Sequence, residues 1–121
     1  MSTATDPVIY DINFEEFEER VIKPSQHQAV LVDFWADWCG PCRFLDPVLK
    51  GVVKEYDGAV LLAKLEVDEG KNMKLAGQYQ VRGFPTIIMF EEGKEVERFS
   101  SARPAEFIRE FIEMNSRLLE L

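Results

Sequence analysis

One stretch, residues 29–50, constrains this chain more than any other: AVLVDFWADWCGPCRFLDPVLK. Residues 29–36 are an apolar run without strict alternation, the pattern of a strand covered on both faces. The segment after it carries Phe44, Leu45, Val48, Leu49, Val52, Val53 and Tyr56, a wide stripe at helical spacing. Cys39 and Cys42, the only two cysteines, stand at the junction. If the helix begins at Cys39, their three-residue spacing puts both sulfurs on one side of its first turn. Cα atoms one turn apart fall in the roughly 4.4–6.8 Å range that a disulfide needs. Cys39 then meets unpaired backbone N–H groups and the positive end of the helix dipole, which favour a thiolate over a thiol. The thiolate is the form that attacks disulfides.

A CxxC pair has three ordinary uses. Structural zinc takes four ligands, and this chain offers no third cysteine and one histidine, His27, which reads as solvated among its polar neighbours. Haem attachment takes a histidine directly after the second cysteine, where Arg43 stands. A dithiol–disulfide pair remains. Two inert core cysteines fit poorly, because Gly40-Pro41 between them marks an exposed turn. Nor is a structural staple expected, since so small a ring hardly restricts the unfolded chain.

Length and charge narrow the setting. With 121 residues, 46% of them hydrophobic, the chain fits one domain, residues 1–121, with its own core. A net charge of -8 argues against nucleic acid and anionic membranes as partners. Residues 1–17, MSTATDPVIYDINFEEF, show no basic start followed by an apolar core, so no secretory signal is read there. No apolar run nears the ~20 residues that span a bilayer. A cytoplasmic home is the expectation.

Along the chain, residues 1–7 read as a loose N-terminal extension and residues 8–11 as a short strand. Asn13 is placed to cap a helix, with Glu16 completing a capping box and Phe14, Phe17 and Val21 as its apolar stripe. Pro24 and the SQHQ segment end it in a loop. Pro41 is tolerable in the first turn of the next helix, whereas Pro47 inside it is expected to remove a hydrogen bond and kink it. Asp57-Gly58 signals a turn and residues 59–67 a second buried strand, parallel to the first because a helix connects them. Residues 71–79 suggest a weaker helix with Met73, Leu75, Ala76 and Tyr79 inward. Residues 86–90 and 95–99 read as an antiparallel pair around the turn 91–94, and residues 104–119 as a closing amphipathic helix. The class is α/β, a mixed sheet with helices on both faces.

WCGPC at 38–42, preceded by VDFWA and followed by Pro47, resembles the active-site stretch of the thioredoxin family. The likeness extends over nearly the whole chain: AKLEVD at 63–68 resembles the family's third-strand motif and VRGFPT at 81–86 its proline loop. It implies the thioredoxin fold, a central mixed five-stranded sheet flanked by four helices. It implies a protein-disulfide reductase, with Cys39 as exposed nucleophile and Cys42 as resolving thiol. Asp33, inside an apolar run where a charge is costly, matches the family's buried acid, and Lys64 matches that acid's partner. Pro85 matches a cis proline facing the disulfide, and Phe84 the backbone that pairs with extended substrate. Trp38, Gly40 and Pro41 line the same groove, while Trp35 is expected to pack beneath the site. Arg43 would lend modest support to a thiolate on Cys39.

The resemblance further implies disulfide-containing protein substrates, an NADPH-dependent flavoprotein reductase as electron donor, a monomer, and neither metal nor bound cofactor. Gly-Pro between the cysteines favours a reductant over an oxidant or isomerase. Three departures stand out. Ser101 takes the place of a usual groove glycine, where its side chain would narrow the substrate surface or alter partner choice. The segment GKNMK, at 70–74, lengthens a turn. Gln80 replaces a common glycine at a helix end. The altered groove and acidic surface leave open a second reading, a binding or co-chaperone module with secondary redox activity.

Overall fold

A computed structural model describes residues 7–120 of the chain. The expected extension over residues 1–7 therefore lies outside the described residues except for Pro7. Five strands form one mixed sheet: β1 (Ile9–Asp11), β2 (Ala29–Trp35), β3 (Val60–Glu66), β4 (Thr86–Glu91) and β5 (Lys94–Ser100), in the order β1-β3-β2-β4-β5. β1 and β2 run parallel to β3, β4 antiparallel to β2, and β5 antiparallel to β4. Glu92 and Gly93 both have positive φ in the two-residue β4–β5 turn, the conformation whose twist matches that of a hairpin.

Among the described residues three α-helices flank the sheet: α1 (Gly40–Lys54), α2 (Asn72–Gln78) and α3 (Ala105–Asn115). Leu45, Leu49, Val52 and Val53 of α1 pack with Ile108, Phe111 and Ile112 of α3 against Ala29, Leu31, Leu62, Ile87 and Met89. The opposite face buries Val30, Val32 and Phe34 with Phe17, Val21, Leu75 and Ala76. Period-two alternation along β2 divides these two cores. It also sends Asp33 to the side of Leu31, toward α1.

The fourth helical layer is not the single regular helix that the Asn13 cap suggests. Phe14–Glu16 is a 3-10 turn, Glu18–Ile22 a π turn and Pro24–Gln26 another 3-10 turn. Pro24 has no N–H to give the Arg20 carbonyl, four residues back. Tyr10 Oη–H donates to that carbonyl instead (2.7 Å), while the Lys23 N–H reaches five residues back to Glu18 O (3.0 Å). The expected capping box is present. The Asn13 N–H donates to Glu16 Oε1 at 2.9 Å, and the Asn13 side-chain oxygen also accepts from Asn72 Nδ2.

Two stripes also need correcting. Phe44 is 74% exposed and Met73 is exposed as well, so neither belongs to the core. Phe44 lies about 100° ahead of Leu45 around α1, off the face that Leu45 and Leu49 define. On α2 Asn72, unlike Met73, joins Leu75 and Ala76 on the inward side. Its amide accepts from the Phe14 N–H (2.7 Å) and donates to Glu66 O (2.8 Å) and Asn13, which satisfies a polar group in a buried place. α1 continues through Pro47, which sits on its exposed side. The closing helix stops at Asn115, four residues short of the expected 119, with Ser116 extended.

Candidate active site

β2 ends at Trp35, and a short loop leads to Cys39, the N-cap of α1. Cys39 and Cys42 form a disulfide, their Cα atoms 5.3 Å apart. The sulfur of Cys39 takes the place of the usual capping oxygen: the Cys42 N–H donates to Cys39 Sγ at 3.2 Å. One of the helix's orphan donors is thereby aimed at the sulfur where negative charge would develop. Proline at 41 costs nothing here, because its missing N–H falls in the first turn.

The exposure expected of Cys39 is not seen. Cys39 is 5% exposed and Cys42 4%, both belonging to the core on the α2 side of the sheet. Ring closure draws the two sulfurs together under a rim of exposed Trp38, Gly40 and Pro41. What separates the two cysteines is not accessibility but position: Cys39 caps the helix and Cys42 lies one turn inside it.

Trp38, 66% exposed, is held by a 2.7 Å hydrogen bond from its indole N–H to Asp68 Oδ2. Its ring meets that of Phe84 edge-on, centroids 6.1 Å apart. The Phe84–Pro85 peptide bond is cis, as the resemblance implies. Pro85 is buried, and its carbonyl accepts the Ser101 N–H at 3.1 Å. Ser101 has φ of 75°, and Gln80, the other residue standing where the family favours glycine, has φ of 55°. Both departures thus fall where glycine is preferred for backbone reasons. Ser101 is exposed beside Pro85, and its amide braces the proline loop.

Behind the disulfide lies a charged cluster. Asp33 is opposite Lys64 in the β2–β3 register, so the two side chains share a face. Lys64 Nζ is 2.9 Å from Asp33 Oδ2 and 2.6 Å from Asp46 Oδ1, and Lys50 Nζ is 2.9 Å from Asp46 Oδ2. Asp33 is 2% exposed, and its Oδ1 has no hydrogen-bond partner. Burial pushes the Asp33 carboxyl above the ordinary carboxylate range, against the pull of the Lys64 ammonium. Asp46 goes the other way. Its partial burial opposes ionisation, but hydrogen bonds from Lys64 and Lys50 hold it below the ordinary range.

A cavity of about 410 Å³ opens onto this cluster, lined by Trp35, Cys42, Arg43, Asp46, Lys50 and Lys64, with Asp11 at its side. Trp35 is partly buried beneath the site, with Lys64 Nζ 4.9 Å from its ring centroid. Arg43 is exposed and gives one N–H to the Asp37 carbonyl at 3.1 Å. His27 is exposed in the Pro24 loop.

The structure therefore brings Cys39, Cys42, Asp33 and Lys64 to one junction, with Gly40 and Pro41 opening α1 and Trp38, Phe84, Pro85 and Ser101 in the loops around it. Asp46 joins them without having been singled out by the sequence. A signal was there: Asp46 is four residues after Cys42 and three before Leu49, a charge set on an otherwise apolar helical face.

Comparison with known proteins gives the same outline. The sequence model of the family described as Thioredoxin matches residues 8–114. A thioredoxin of Chlorobaculum thiosulfatiphilum is 45% identical over 104 residues, 86% of this chain and 93% of that protein. A thioredoxin of Acidithiobacillus ferridurans is 41% identical over 90 residues, covering 74% and 79% of the two chains. Thioredoxin 2 of Chlorobaculum tepidum is 37% identical over 99 residues, covering 82% and 87%.

Proposed function

The chain belongs to the thioredoxin family and is a thiol–disulfide oxidoreductase that reduces protein disulfides through Cys39 and Cys42, and on that premise we propose how its residues divide the work. Cys39 is the attacking thiolate. It bonds to one sulfur of the substrate disulfide and expels the other as a thiolate, giving a mixed disulfide. Cys42 then loses its proton and attacks Cys39, forming the Cys39–Cys42 bond and releasing the second substrate sulfur as a thiolate. Two electrons pass to the substrate, and the sulfurs carry them without a cofactor. The observation that supports this order is the Cys42 N–H directed at Cys39 Sγ at the start of α1.

Asp33 exchanges the Cys42 proton, and Lys64 steadies its charge. A raised carboxyl suits that task, because a base works best when its pKa lies near the working pH. Trp38, Gly40, Pro41, Phe84, Pro85 and Ser101 form the surface on which an extended substrate segment lies. Main-chain pairing there would tolerate many target sequences. The family match over residues 8–114 supports a single thioredoxin domain.

Family membership implies disulfide-bearing protein substrates and a reductase partner. We assign an NADPH-dependent flavoprotein to that role, a monomer as the working form, and a reducing compartment such as the cytoplasm, where a dithiol is kept reduced. No helix among the described residues is long and apolar enough to cross a membrane. The alternative of a binding or co-chaperone module with secondary redox activity is not favoured, since both cysteines are present and bonded.

Reduction of insulin by dithiothreitol tests the assignment. Wild type should accelerate it, and Cys39→Ser should leave only the uncatalysed rate. Cys42→Ser should accumulate mixed disulfides on Cys39 with target proteins. A Cys39→Ser variant as active as wild type would end this reading.

A further inference from the structure

Asp46 transfers no proton and touches no sulfur in the exchange between Cys39, Cys42 and Asp33, yet it holds the same ammonium as Asp33. Lys64 Nζ stands between the two carboxylates, 2.9 Å from one and 2.6 Å from the other. The two anions differ in setting. Asp33 is sealed on β2, with one oxygen unpartnered, whereas the Asp46 side chain is 29% exposed and lines the cavity that Cys42 and Lys64 also line. α1 sets this arrangement, because Asp46 comes four residues after Cys42 and shares its face.

We propose that Asp46 is a positioning residue of the exchange reaction: by sharing the Lys64 ammonium it keeps Asp33 a strong enough base to accept the Cys42 proton. The inference rests on the role of Asp33 as the proton acceptor for Cys42. A carboxylate leaning on an undivided ammonium holds a proton weakly and makes a poor base for a thiol. Dividing the cation between two carboxylates weakens its hold on each. In the resolving step the Cys42 thiol proton passes to Asp33, the Cys42 sulfur bonds to Cys39, and the substrate sulfur leaves with the electron pair of the broken bond. In the reverse direction Asp33 returns that proton to the departing Cys42 sulfur.

Charged groups reach Asp33 from two elements. Lys64 comes from β3, and Asp46 and Lys50 from α1, with Lys50 also acting to lower Asp33. Asp11 of β1 and Arg43 of α1 stand at the cavity wall. On the other side β4 pairs Ile87 with Asp33 and brings no charge. The repulsion from Asp46 adds to the upward push of burial on the Asp33 carboxyl.

The test is a titration and a single chemical step. The carboxyl carbon of Asp33 is followed by NMR against pH in the oxidised chain. Reduction of the Cys39–Cys42 disulfide by dithiothreitol is followed alongside, with the rate expressed per dithiothreitol thiolate. Asp33 in its protonated form should speed that step, so the rate should fall as pH rises through the Asp33 midpoint. Asp46→Asn should move both the midpoint and the fall to lower pH by about one unit. Lys50→Met should move both to higher pH, and in Asp33→Asn the fall should vanish, with Asp46→Asn adding nothing to it. If Asp46→Asn leaves the midpoint in place while Asp33→Asn abolishes the fall, the proposal fails and the role of Asp33 stands. If Asp33→Asn leaves the rate profile unchanged, the role of Asp33 fails and the proposal with it. A shift to lower pH in Lys50→Met would also overturn it.

Discussion

Two carboxylates are buried to nearly the same degree on neighbouring strands, Asp33 in β2 at 2% exposure and Glu91 at the end of β4 at 3%. Their surroundings differ. Glu91 has a donor for each oxygen: the Ser116 hydroxyl on Oε2 and the Arg117 N–H on Oε1 at 2.8 Å. Both donors come from the segment just past α3, so the carboxylate fastens the end of the chain to the sheet. Asp33 has Lys64 on one oxygen and nothing on the other. A buried carboxylate supplied with donors by its own fold is a fastening. One left short of a donor, tied through Lys64 to a cavity that Cys42 also lines, is where a proton can be gained or lost. Burial alone does not tell the two apart.

The largest effect on stability should come from the fastening. Glu91→Ala removes a charged acceptor from two donors, each such bond being worth about 1.5–3 kcal/mol. We expect unfolding in urea to show a loss of about 3 kcal/mol, with the segment after Asn115 released. The folded fraction should reduce insulin at the wild-type rate, because Glu91 lies five residues along β4 from Thr86, about 17 Å from the proline loop. A loss of activity per folded molecule would break the contrast between the two carboxylates.

Asp33→Asn should behave in the opposite sense. The Asp33 pKa is raised on folding, so the folded state binds its proton more tightly than the unfolded chain does. Below the unfolded value of about 3.9 both states are protonated and there is no penalty. As pH rises above it, stability falls until the folded group ionises, at about 1.4 kcal/mol for each pH unit of elevation. Asp33→Asn removes that penalty. Its melting temperature should exceed that of wild type at pH 8 and converge with it below pH 4. Disulfide reduction near pH 7 should slow by on the order of tenfold, less than most acid–base catalysts contribute, because thiolates form unaided near neutral pH. A variant less stable than wild type at pH 8 would show that Lys64 outweighs burial at Asp33.

How far the sequence could be read obeys the same divide. β2, α1, the cysteine pair and Asp33 were legible because a single apolar run, broken by one acid and ended by CGPC, leaves few other arrangements. Where the fold departs from local periodicity, tertiary partners decide. The N-terminal helix is remodelled by the Tyr10 hydroxyl and the missing N–H of Pro24. Asn72 goes inward because three partners await its amide, and Met73 beside it stays out. α3 ends early because the Ser116 hydroxyl turns to Glu91 and in turn accepts the Leu119 N–H at 3.1 Å. Leu118 and Leu119 prolong the apolar pattern without prolonging the helix. Asp46 was missed for a related reason, since its meaning depends on Lys64, which comes from another strand.

The smallest effects should come from Gln80 and Ser101, two of the non-glycine residues that stand in left-handed backbone, and they sharpen the contrast between fold and site. Gln80 comes just after α2, where its N–H bonds to Gly77 O at 3.0 Å and the Val81 N–H to Ala76 O at 2.9 Å, the paired bonds of a helix end closed by a left-handed residue. Glycine there would relieve roughly 1–2 kcal/mol of side-chain conflict. It would also give back roughly 0.4–1 kcal/mol through a freer unfolded chain. Gln80→Gly should therefore stabilise by about 0.5 kcal/mol and leave insulin reduction unchanged. Ser101→Gly relieves the same conflict at φ of 75°, so its stability gain should be similar. Ser101, however, is exposed and braces Pro85 through its amide, so removing its side chain also reshapes the surface beside the disulfide. We expect KM for protein disulfides to change by about twofold in Ser101→Gly, with its rate toward a small disulfide unaltered. Equal KM values in the two variants would place Ser101 with Gln80, as a backbone compromise with no hand in substrate choice.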